Sequence, residues 1–125
     1  MGAYMTPAAA LHAFWAGFGL EAYEENSIPA GAEKPYLTYT QLLDYWPSEG
    51  VVQVNLWFRG ESNVAPNAAA NAIGDAVGMG GALVECDGGA IWITRGSPFC
   101  QSMSDYSDAT IKRRYMVFNA KFLNE

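Results

Sequence analysis

His12 is the only imidazole in the chain, and a Ser–His–Asp hydrolase needs such a base held beside a nucleophile. It stands one residue off an apolar stripe inside a helical pattern, so it reads as a rim or solvated histidine. Cys86 lies between Glu85 and Asp87, and flanking carboxylates disfavour the thiolate that a reactive cysteine requires. Cys100 follows without a CxxC pattern. Two cysteines and one histidine are too few for a structural zinc site. The alternatives are a disulfide or two reduced, half-buried thiols, and the second is the expectation for a reducing compartment.

Paired carboxylates are the next chemistry to test, because general acid–base work uses two of them. Glu24–Glu25 falls in a polar stretch with no apolar company to raise a pKa. Asp105 and Asp108 are interleaved with Ser104, Ser107 and Thr110, the pattern of turn capping rather than of an acid–base pair. That stretch also lacks the ligand spacing of an EF-hand. Gly78–Gly81, GMGG, follows a helical pattern, whereas a phosphate-cradling loop precedes one. No motif specifies a reaction, so the expectation is a non-enzyme with no cofactor and no metal.

The elements that carry these residues fit one domain of 125 residues. Half of the residues are hydrophobic, enough for a core of its own, and no apolar run approaches a membrane span. The opening segment lacks the basic start of a secretory signal and is spaced as a helix. There Thr6–Pro7 supplies an N-cap and first turn. Leu11, Phe14, Trp15 and Phe18 form one stripe, and Gly17 and Gly19 end it. Residues 21–35 read as an exposed connection with a short strand near Ala22–Tyr23. Residues 36–46 and 51–59 read as strands joined by a turn at 47–50, hence an antiparallel pair. Val52, Val54, Leu56 and Phe58 share one face of the second strand.

A second helix is expected with Ala69, Ala72, Ile73, Ala76 and Val77 inward, stopped at Gly80–Gly81. Residues 82–86 and 90–95 flank Asp87, Gly88 and Gly89 as a three-residue hairpin. A long polar loop then spans 96–110. The last strand places Met116, Phe118, Ala120 and Phe122 on one face. The fold class is therefore α+β: a mostly antiparallel sheet of about five strands with two helices packed on it.

The formal net charge of −6 argues against nucleic-acid binding as the main activity. Lys112, Arg113, Arg114 and Lys121 gather on the final strand, while residues 21–49 hold six acids and one base. Two solvated faces of opposite sign explain this, as does head-to-tail pairing between copies. Trp57, Arg59 and Tyr115 lie opposite the inferred core rows, where aromatic and arginine side chains suit an interface. If helices cover both faces instead, Trp57 is a core residue, and Trp92 is ambiguous in the same way.

Four segments carry a wider likeness: LHAFWAGFG at 11–19, KPYLTYTQ at 34–41, VNLWFRGESN at 54–63 and IKRRYMVFNAKF at 111–122. With the order helix–strand–strand–helix–hairpin–strand, the chain resembles the tail-terminator (tail-completion) family of long-tailed bacteriophages and prophages, which includes minor tail and minor capsid proteins. The stretches 21–33 and 96–110 follow no pattern of that family.

The resemblance implies a homo-oligomeric ring, commonly a hexamer, that caps the tail-tube protein and meets the head–tail connector protein. It works by binding, without a cofactor. DNA would pass through an acidic lumen without specific binding. The location implied is the virion tail or neck, after folding in the host bacterial cytoplasm, with no membrane. Trp57, Arg59, Arg113, Arg114, Tyr115 and Lys121 are the expected subunit interface. Phe99, Asp105, Tyr106 and Asp108 are the expected contact with tube or connector. The alternatives are a small-ligand or peptide-binding α+β domain, or another neck or minor tail component.

Overall fold

The computed structural model describes residues 6–40, 50–104, 108 and 110–124. Helix α1 (Pro7–Ala16) begins where the sequence says it should: the Thr6 hydroxyl accepts from Ala9 N–H and proline fills the first turn. Strands β1 (Glu21–Glu24), β2 (Tyr36–Tyr39) and β3 (Gly50–Arg59) follow, then helix α2 (Val64–Val77). Strands β4 (Ala82–Cys86), β5 (Gly89–Ser104) and β6 (Ile111–Asn124) complete the chain. The expected second half of the β2 strand and the turn at 47–49 lie outside the described residues.

The fold is α+β with two helices, as expected, but the sheet is larger and mixed. Its described strands number six, in the order β1-β2-β3-β6-β5-β4. The pair β1–β2 is parallel and every other pair antiparallel. The reason is the connection at 25–35, which returns the chain to the starting end of β1 before β2 begins.

Four further expectations are corrected. The hairpin turn has two residues, Asp87 and Gly88, because Cys86 pairs directly with Gly89. Most of the long loop is strand: β5 runs on to Ser104 opposite β6, with its register broken between Arg95 and Cys100. That bulge lets a polar sequence stay in the ladder while β6, central in the sheet, keeps partners on both sides. Helix α2 buries Pro66, Ala70, Ile73, Gly74 and Val77, whereas Ala72 and Ala76 face solvent. Gly74 belongs to this buried row and lies against the Phe99 ring. The helix ends at Gly78, at φ 68°, earlier than Gly80–Gly81.

Both helices pack on one face of the sheet. There α1 touches both edge strands, β1 and β4, and α2 lies on β3, β5 and β6. A sheet whose two edges reach the same helix is curled around it. The inward rows are those expected, Val52-Val54-Leu56-Phe58 and Met116-Phe118-Ala120, joined by Leu37, Ile91 and Ile93. Trp15, fully buried, packs on Phe118 at 5.2 Å between ring centres. Phe122 is only partly buried at the rim.

Candidate functional site

The face away from the helices is open, and strand parity decides what it displays. Register places Tyr36 beside Trp57, Trp57 beside Arg113, and Tyr115 beside both Asn55 and Gln101. Tyr23 extends the row onto β1, its ring 5.7 Å from that of Tyr36. Tyr36 lies 6.5 Å from Trp57, and the Lys34 ammonium stands 5.5 Å over the Tyr36 ring. Arg113 holds its guanidinium carbon 5.0 Å from the Trp57 ring centre and 5.9 Å from that of Tyr115. Contacts of this kind are worth roughly 0.5–2 kcal/mol each, more when water is excluded.

Beneath this layer lie two buried polar side chains. Thr38 is 1% exposed and Asn55 is 3% exposed, although both belong to the open-face rows. The Trp57 indole donates to Thr38 Oγ1 at 3.0 Å, and Arg113 Nε donates to Asn55 Oδ1 at 2.7 Å. Ring and guanidinium therefore roof over two groups that would otherwise meet water, and those bonds fix the roof's orientation.

Of the expected interface residues, Trp57, Arg59, Arg113, Tyr115 and Lys121 share this face. Arg114 does not. It points to the helix side, 5% exposed, where Nη2 donates to Asn63 and Asn67 at 2.9 Å each. Alternation along β6 forces this, since neighbours on a strand take opposite faces. Asn63 precedes α2 but makes no side-chain cap, because its oxygen is given to Arg114. Arg59 is held at one end of the face by Asp108, at 2.8 Å. The Thr110 hydroxyl and amide also donate to Asp108. Those bonds, with that of Arg59, lower its pKa from 3.8 to about 2.

The two described residues of the expected tube or connector contact, Phe99 and Asp108, take different places. Phe99 turns inward at the bulge and packs edge-on against Phe118 at 5.4 Å, with Arg95 stacked on it at 4.8 Å. Asp108 is the ion-pair partner just described. Asp105 and Tyr106 lie outside the described residues.

Sequence reasoning missed Tyr23, Tyr36 and Lys34 as members of the face. Their signal was alternation: Tyr23 follows inward Ala22, and Tyr36 precedes inward Leu37. It also missed the apolar end of the face, where Leu83 is 60% exposed beside Trp92. The Trp92 indole donates to Gly80 O at 3.0 Å, over Gly81 at φ 90°, where no Cβ would fit.

A second feature lies on the helix side. An open groove of about 620 Å³ runs between α1 and the β1–β2 edge, walled by Ala8, Ala9 and Ala13. His12, Glu24 and Tyr39 supply its polar groups. His12 Nδ1 and Tyr39 Oη are 3.0 Å apart. Burial, and then the charge of Glu24, push the Tyr39 phenol up to about 12, so it keeps its proton.

Elsewhere, Cys86 is a buried free thiol whose pKa is raised by burial and by Asp87, and Cys100 is free and exposed. Among the described residues no group of three His, Cys, Asp or Glu side chains could hold a metal ion, and no helix is long and apolar enough to cross a membrane. Compared with protein-family models, curated proteins and solved structures, the chain matches none.

Proposed function

We propose that the chain is a virion structural protein: a tail-terminator-like subunit that assembles into a hexameric ring at the end of a phage tail tube and joins it to the head connector. It works by binding, without catalysis or cofactor, at the tail or neck of the particle. The observation that carries this reading is the open face. A sheet covered by helices on one side displays Tyr23, Tyr36, Trp57, Arg113 and Tyr115 on the other. Aromatic and arginine anchors over buried polar partners are what a protein interface concentrates.

Charge supports pairing between copies. The chain carries −6 overall, yet the middle of this face presents Arg113 and Lys121 from β6. Its acids Glu21 and Glu85 stand on the edge strands, and Asp108 is engaged by Arg59. A basic centre on the face of an acidic chain favours contact with a different patch of the next copy, and such contacts close into rings when the rotation permits. An acidic ring also lets DNA slide past without sticking.

Light scattering of the purified chain, alone and with tail tubes, tests the reading. Rings, or capped tubes of fixed length, are expected. A strict monomer that leaves tubes unchanged contradicts it. The aromatic row also favours a second reading, a peptide- or small-ligand-binding domain, which predicts that monomer.

A further inference from the structure

The groove under α1 and an exposed, unengaged lysine of the open face are complementary in charge. Glu24 has no ion-pair partner among the described residues. Tyr39 lines the same groove, and when its hydroxyl donates the hydrogen bond to His12 Nδ1 its oxygen can still accept another. Three alanines beside these acceptors make a wall that suits an alkyl stem. A carboxylate, a phenol oxygen and a methyl-lined wall are the parts that recognise a primary ammonium on a flexible chain. The start of α1 opposes this with a partial positive charge, but Thr6 already occupies the Ala9 N–H there.

The cations of the chain are mostly committed. Arg59 is bound to Asp108, Arg95 to Gly74 O, Arg113 to Asn55 and its rings, and Arg114 to two asparagines. Lys34 stands over Tyr36, and Lys112 is also engaged. Lys121 is exposed on β6 opposite Trp92, with no such engagement among the described residues.

We propose that the groove receives Lys121 of a neighbouring copy, its stem along Ala8, Ala9 and Ala13 and its ammonium on Glu24 and Tyr39. The inference rests on the ring reading and deepens it. Groove and lysine belong to opposite sides of the sheet, so the contact is heterologous. Open face against open face would instead set Arg113 and Lys121 against their own copies, which like charge disfavours.

Light scattering of the full chain over a concentration series tests this, with circular dichroism confirming the fold of each variant. Glu24→Lys and Lys121→Glu should each weaken association about tenfold or more, and the double variant should return it to within about threefold of wild type. Glu24→Gln, which removes the charge without reversing it, should fall between. Single variants that leave association unchanged while Trp57→Ala weakens it overturn the groove and leave the ring reading standing. Loss in the single variants without recovery in the double also overturns the groove. A wild-type chain that never associates, with or without tubes, overturns both.

Discussion

Arg113 and Asn55 form a bond that ties the open face to the interior of the sheet: Nε donates to a carbonyl oxygen on a side chain only 3% exposed, at 2.7 Å. The same guanidinium stacks on Trp57. Arg113→Lys keeps the charge but loses the fork and the planar stack, leaving Asn55 short of a donor. Urea unfolding should show a loss of about 1–2 kcal/mol. Arg113→Ala combined with Asn55→Ala should cost less than the two single losses added together.

Arg114 is a buried cation answered by amide oxygens rather than by a carboxylate. Removing its partner strands the charge, whereas replacing the cation removes the demand. Asn67→Ala should therefore cost about 2–4 kcal/mol in urea unfolding. Arg114→Met should cost less than that, and an equal or larger loss would show that the guanidinium contributes chiefly by packing.

Asp108 gives an acid-range signature. Its pKa falls from 3.8 to about 2 through the bonds from Thr110 and Arg59. A carboxyl lowered on folding contributes stability that is present above its ordinary pKa and lost as pH falls through the folded value. The contribution should thus be complete above about pH 4 and disappear towards pH 2. Carboxyl-carbon NMR should report the low value, and Thr110→Ala should raise it.

Tyr39 gives the opposite signature at high pH. Its phenol is raised from 10.0 to about 12, so its contribution is whole below pH 10 and is lost as pH climbs through about 12. Phenolate absorbance should show a late-titrating tyrosine that is absent in Tyr39→Phe.

Much of this architecture is legible in the residues. Thr6–Pro7 announces α1, and the alternation of Val52 to Phe58 and of Met116 to Ala120 gives both central strands and their inward rows. What escaped depends on neighbours distant in sequence. Polar residues 96–104 read as loop because their strand character comes from pairing with β6, not from their own propensity. The rotation of α2 shows only in its tertiary packing, with Gly74 against Phe99, which alanine periodicity does not reveal. Arg114 was grouped with Arg113 by proximity in sequence, although strand alternation separates them. The groove was illegible because His12 and Tyr39 meet only when α1 folds over β2.

The central claim is that copies meet through the open face, and the association constant of Trp57→Ala against wild type, from light scattering on matched samples, tests it most directly. The variant deletes an interface anchor and the roof over Thr38 while leaving the helix-covered core in place. The account predicts a ring for wild type and association weakened by about tenfold or more for the folded variant. Equal association of the two proteins would contradict it.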